Sequence, residues 1–141
     1  MTGTTSCVLV AEGHHGLAEG LRGLLETAFD CVVMVADGRS LAESAGRLAP
    51  ALVIVDLALG CGDIGGLIRR LRAGCPGQLV LVLGVHDEPN VARSTLLAGA
   101  DGFLVKWKIA SDLLPMVDAL LRGERPGAPV PDAAAPAGKV D

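Results

Sequence analysis

The 141-residue chain contains no tyrosine, one tryptophan and two phenylalanines, so aromatics make up only 2% of it. That scarcity, together with the lack of a Gly-rich phosphate loop after the first apolar run, argues against a flavin held by ring stacking. A basic surface is also missing. The net charge is −4 and no run of Lys or Arg is longer than the pair Arg69-Arg70, which excludes diffuse attraction to nucleic acid or to an anionic membrane. Cys7, Cys31, Cys61 and Cys75 are scattered without a C-x-x-C pair, so the spacing of a zinc site is absent. Cys7 and Cys31 fall inside apolar runs, where a thiol behaves as a small hydrophobe. The opening M-T-G-T-T-S carries no basic patch followed by a long apolar stretch, so neither a signal peptide nor a membrane span is expected, and the expected location is the cytoplasm.

Half of the residues are hydrophobic, enough for one core in a chain of this length. Five short apolar runs are expected as strands: Cys7 to Ala11, Cys31 to Ala36, Ala51 to Val55, Leu79 to Leu83 and Gly102 to Val105. Their continuous Val/Ile/Leu character belongs to parallel strands covered on both faces. Helix-period stretches lie between them. Leu17, Leu21, Leu24, Leu25 and Phe29 form one stripe, and Leu41, Ala45 and Leu48 a second, with Ser40 expected as its cap. Ile64, Leu67, Ile68 and Leu71 form a third behind Asp63, with Arg69, Arg70 and Arg72 expected to face water. Asp87-Glu88-Pro89 marks a fourth start, and Ser111-Asp112 sits near a fifth, whose stripe is Leu113, Val117, Leu120 and Leu121. Strict alternation with short loops predicts a three-layer α/β/α sandwich. The segment from Gly123 holds four prolines and almost no large apolar residue. It is expected to be a flexible Pro/Ala-rich tail over 123–141, as the first six residues are expected to be a disordered N-terminus.

Asp56 ends the run A-L-V-I-V-D. Ligands of doubly wound parallel sheets sit outside the carboxyl ends of the strands, so a carboxylate placed there marks the expected site of chemistry.

The motifs V-L-V-A-E-G-H-H, E-G-L-R-G-L-L-E, L-V-I-V-D-L-A-L-G, L-V-L-V-L-G-V-H-D-E and A-G-A-D-G-F-L-V-K occur in that order. Through them residues 7–122 resemble the receiver domain of bacterial two-component response regulators. The resemblance implies a flavodoxin-like sheet of order 2-1-3-4-5 and a signalling module in place of an enzyme. It implies that Asp56 accepts a phosphoryl group from a histidine kinase or phosphotransfer protein, with Lys106 and Mg²⁺ neutralising the transferred oxygens. The ion would be held by Glu12, Asp56 and the carbonyl near Ala58. Four departures stand beside the matches. Gly13 falls where the family has its second acidic residue, so Mg²⁺ binding is expected to be weak. Gly84 replaces the switch Ser or Thr, so Phe103 is expected to lie inward without any phosphoryl group. Gly60 stands where Pro is common, and Trp107 follows Lys106 where Pro is frequent, giving a candidate interface anchor. His14, His15 and His86 do not have the spacing of a metal site.

Two function classes follow. One is a conventional receiver phosphorylated on Asp56. The favoured one is an atypical receiver that serves as a protein-interaction or dimerisation module, through the face of the fourth helix, fifth strand and fifth helix. A small-molecule site in the same crevice trails both. The tail is too short and too proline-rich for a helix-turn-helix, so direct contact with nucleic acid is not expected.

Overall fold

The computed structural model describes residues 6–126 apart from Asp87. Five strands, β1 (Cys7–Ala11), β2 (Cys31–Val35), β3 (Leu52–Asp56), β4 (Val80–Gly84) and β5 (Gly102–Val105), alternate with five helices: α1 (His15–Leu25), α2 (Gly38–Leu48), α3 (Ile64–Gly74), α4 (Pro89–Leu97) and α5 (Ile109–Leu121). All strand pairs are parallel, in the order β2-β1-β3-β4-β5. This is the flavodoxin-like arrangement expected from the alternation of apolar runs and amphipathic stretches.

Side-chain alternation divides the core in two. Val8, Val10, Leu52, Ile54, Leu81 and Leu83 pack with Leu21 and Leu25 of α1 and Leu113, Val117 and Leu120 of α5. Leu9, Val53, Val55, Val80 and Val82 pack on the other side with Leu41 of α2 and Leu67, Ile68 and Leu71 of α3. β1, β3 and β4 lie inside the sheet, and the side chains of β3 and β4 are buried along their whole length. β2, at one edge, is half-buried throughout.

Several local expectations shift. β3 and β4 each run one residue further than their apolar runs, so Asp56 and Gly84 are terminal strand residues with ladder partners Leu83 and Val105; backbone pairing continues whatever the side chain. β2 stops at Val35, short of Ala36. Asp37, not Ser40, caps α2: its carboxylate accepts from the Ser40 amide at 2.8 Å, and that bond holds the Asp37 carboxyl below its usual range. Asp63 caps α3 through the Gly66 amide at 2.9 Å. α5 starts at Ile109, which places Ser111 and Asp112 inside its first turn, and Leu121 is exposed.

Arg72 does not face water. Its guanidinium reaches Asp101 Oδ2 at 2.6 Å and the carbonyls of Gly99 and Gln78 at 2.7 and 3.1 Å. Asp101 also accepts from the Val80 amide at 2.8 Å and, through Oδ1, from Arg125 Nε at 2.9 Å. Two guanidiniums therefore close on one carboxylate at the amino end of β4 and β5. The Glu124 amide bonds the Ala119 carbonyl at 2.9 Å, so the residues just after α5 fold back along the domain; 127–141 lie outside the described residues. Asp101→Ala strands Arg72 among carbonyls and frees the Val80 amide. It should lower stability by about 3 kcal/mol, read as a fall in the urea midpoint with an unchanged m-value.

Candidate functional site

Three carboxyl-end segments converge. Glu12 follows β1, Asp56 ends β3, and Lys106 follows β5 as the first residue of a short 3₁₀ turn (Lys106–Lys108). The Lys106 ammonium lies 2.9 Å from Asp56 Oδ2, 3.2 Å from Glu12 Oε1 and 3.3 Å from Glu12 Oε2. The Glu12 side chain is 1% exposed and that of Asp56 12%. Asp56 Oδ1 accepts from the Ala58 amide at 3.1 Å, which opens the 3₁₀ turn Leu57–Gly60. Glu12 Oε2 accepts from the His14 amide at 3.1 Å. Glu12 Oε1, near Lys106 yet without hydrogen-bond geometry, is buried and unpartnered.

Burial would lower the Lys106 pKa. The hydrogen bond and charge of Asp56, reinforced by Glu12, outweigh it and hold the group above its ordinary 10.5.

Around this cluster a depression of about 280 Å³ is lined by Asp56, Leu57, Ala58, Gly84, Val85, His86 and Lys106. On its floor Gly84 meets Phe103 closely. A Cβ added at Gly84 would stand 2.6 Å from Phe103 Cζ and 2.8 Å from Cε1, so the aromatic ring fills the space that any side chain at position 84 would take. Trp107, next in sequence to the lining residue Lys106, is 61% exposed, and Val85 of the lining is exposed as well. Gly60 closes the 3₁₀ turn against Ile64.

The histidines go elsewhere. His14 Nδ1 accepts from the Leu17 amide at 3.1 Å and caps α1, a role the sequence reading did not assign. His15 is the exposed first residue of that helix. His86 faces Glu88 at 3.6 Å with both side chains exposed.

In kind, the donors fit Mg²⁺: two carboxylates, an adjacent main-chain segment at Ala58, and one buried carboxylate oxygen with no hydrogen bond. Hard oxygen ligands completed by water are what this ion takes. In charge they fit poorly, because one ammonium already neutralises half of the pair. Gly13 adds nothing, although a Cβ there would meet only the Ala36 carbonyl at 3.9 Å, so the backbone surroundings do not demand glycine. Among the described residues no group of three or more His, Cys, Asp or Glu is arranged to hold a metal, and no helix is long and apolar enough to cross a membrane.

A buried carboxylate pair, an ammonium fixed between them and a shallow cleft lie together at the carboxyl ends of a parallel sheet, where ligands of such sheets bind. The profile of the response regulator receiver domain matches residues 8–118, and the chain belongs to that family, the input module of two-component signalling. It is 33% identical over 119 residues to the methanol utilization control regulatory protein MoxX of Paracoccus denitrificans, covering 82% of this chain and 53% of that protein. It is 32% identical over 123 residues to the transcriptional regulatory protein PrrA of Mycobacterium tuberculosis, covering 86% and 52%. The chain thus spans about half the length of these curated relatives. Among solved structures, a LuxR-family two-component response regulator from Aurantimonas sp. SI85-9A1 superposes with a TM-score of 0.76 at 26% identity, covering 86% of this chain and 89% of that one. The receiver domain of the response regulator NarL from Mycobacterium tuberculosis shares the fold, with a TM-score of 0.74 at 24% identity over 85% of this chain and 98% of that one.

Lys106→Met leaves Glu12 and Asp56 facing each other without a cation and should cost about 3 kcal/mol near neutral pH. Because the Lys106 pKa is higher folded than unfolded, its stabilisation is complete below 10.5 and is lost as pH rises through the raised folded value. The gap between wild-type and K106M urea midpoints should therefore stay constant up to that point and close above it.

Proposed function

We propose that this receiver is atypical: it acts as a protein-interaction module in a two-component pathway, through the face made by α4, β5 and α5, with weak dependence on phosphorylation of Asp56. The observation that carries this reading is the packing of Phe103 on Gly84. In a receiver whose strand β4 ends in a hydroxyl residue, that side chain and the aromatic ring compete for one volume, and a bound phosphoryl group decides which occupies it. Here there is no competitor and no hydroxyl. A ligand can shift a conformational equilibrium only by binding one state better than the other, and the contacts that would discriminate are missing. Exposed Trp107 and Val85 offer the apolar anchors that partner surfaces favour.

The weakened half of the chemistry is the cation. When bound, Mg²⁺ supplies charge neutralisation for the incoming phosphoryl oxygens; Glu12, Asp56 and the Ala58 carbonyl would hold it. This chain's own residues do the rest. Asp56 Oδ2 presents the nucleophile, the Ala58 amide orients the carboxylate through Oδ1, and Lys106 sits 2.9 Å from the attacking oxygen, ready to pair with transferred charge. That intact Asp56–Lys106 contact favours the second reading, a conventional receiver phosphorylated on Asp56 by a histidine kinase with Mg²⁺.

Intact mass after incubation with acetyl phosphate and Mg²⁺ separates the two. Wild type should carry little adduct, whereas Gly13→Asp should carry far more. One further unit charge beside the ion contributes about 1–4 kcal/mol across the effective dielectrics of a protein surface, a gain of roughly fivefold or more in Mg²⁺ affinity. Stoichiometric labelling of Asp56 in wild type would hand the case to the conventional reading.

The ring packing has its own test. Gly84→Ser forces Phe103 to move and should destabilise the fold by about 1–3 kcal/mol. In a double-mutant cycle with Phe103→Ala the two changes should couple by about 1 kcal/mol or more, because truncating the ring vacates the space the serine needs. Additive effects would mean that the ring does not depend on the glycine.

A further inference from the structure

At the opposite end of the sheet from the pocket, β1 and β2 both begin with cysteine. Cys7 and Cys31 are direct partners in the parallel ladder, so their side chains leave the same face. The backbone is fixed on both sides: the Cys31 amide donates to the Ser6 carbonyl at 3.0 Å and the Ala51 amide to the Cys7 carbonyl at 2.9 Å. Neighbouring strands run roughly 4.8 Å apart, inside the range of about 4.4–6.8 Å between Cα atoms that a disulfide spans. The Cys7 thiol donates only weakly, to the carbonyl of its neighbour Val8 at 3.9 Å, so no strong bond holds it away from Cys31. Both residues are half-buried, shielded from bulk solvent yet open to a small reagent. The strand that would be tied is the sheet edge β2, no residue of which is fully buried.

We propose that Cys7 and Cys31 form a redox-responsive dithiol that closes to an intramolecular disulfide, clipping the edge strand β2 onto β1. The oxidant is a small-molecule disulfide. One thiol of the pair, as thiolate, attacks a sulfur of that disulfide, breaking its S–S bond and expelling one thiol. The second cysteine then attacks the mixed disulfide, forms the Cys7–Cys31 bond and releases the second thiol. Both protein thiol protons end on the two released thiols, and the pair is oxidised by two electrons as the reagent is reduced. Burial, followed by the hydrogen bond and charge of Cys31, pushes the Cys7 thiol up to about 11. The resting Cys7 thiol is therefore protonated, and closure, a two-electron oxidation, requires the oxidant. At its far end the same strand pair carries Glu12, whose amide donates to the Val35 carbonyl at 3.2 Å, so clip and pocket stand at the two ends of one ladder.

The test is to incubate the full chain with oxidised glutathione and to count thiols by alkylation and mass, with peptide mapping under non-reducing conditions. Alkylatable cysteines should fall from the four of the sequence by two, with a Cys7–Cys31 linked peptide and a raised urea midpoint, all reversed by dithiothreitol. A Cys61→Ser/Cys75→Ser variant should close equally well, and Cys31→Ser should stop at a mixed disulfide with glutathione on Cys7. Four persistent thiols, glutathione adducts without closure in wild type, or a midpoint that falls on closure would overturn the proposal. None of these readouts depends on phosphoryl chemistry or on an output partner.

Discussion

One ammonium group organises the carboxyl edge of this sheet. Lys106 follows β5, while the carboxylates it pairs with belong to β3 and to the end of β1, and the strand order places β4 between them. The lysine must therefore reach across the end of β4, whose terminal residue is Gly84. Glu12 is almost wholly buried, and a buried carboxylate is tolerable only when paired and hydrogen-bonded. The ends of three strands and the depression over Asp56 meet at that three-way contact.

The two main departures from the receiver pattern act at either side of this contact. Gly13 withholds a negative charge from the cation side, leaving a site with net charge −1 once Glu12, Asp56 and Lys106 are summed. Gly84 withholds a hydroxyl on the phosphoryl side and gives its volume to the Phe103 ring. Each alone would tune an otherwise ordinary receiver. Under the proposed reading the two together weaken both the acquisition of a phosphoryl group and its readout, while the scaffold that presents Trp107 stays intact.

Much of this was legible in the sequence. Buried parallel strands announce themselves as unbroken Val, Ile and Leu runs, and a carboxylate at the end of one such run or a lysine at the end of another is a local signal. Asp63 as a cap and the α1 stripe were readable for the same reason. What escaped was non-local. Arg72 sits on the apparent solvent side of an amphipathic pattern, and nothing nearby in sequence says that Asp101, 29 residues on, will receive it. His14 as a cap in place of the usual Ser, Thr, Asp or Asn defeats a composition rule, and Asp37 outcompeted Ser40 because the helix begins earlier than its apolar periodicity. The closeness of Gly84 and Phe103 is a matter of register between β4 and β5. That register is set by packing and cannot be counted off a single strand.

The closing of Arg72 and Arg125 on Asp101 bears on how any signal could leave the domain. α5 starts at the pocket's edge of the sheet and delivers the chain to the opposite edge, where Arg125 is moored. Residue 126 is thus separated from Asp56 by about the length of a five-residue strand, some 17 Å. Between pocket and mooring runs α5, held to the sheet by the buried row of Leu113, Val117 and Leu120, so the distance is spanned by one packed helix and not by loop.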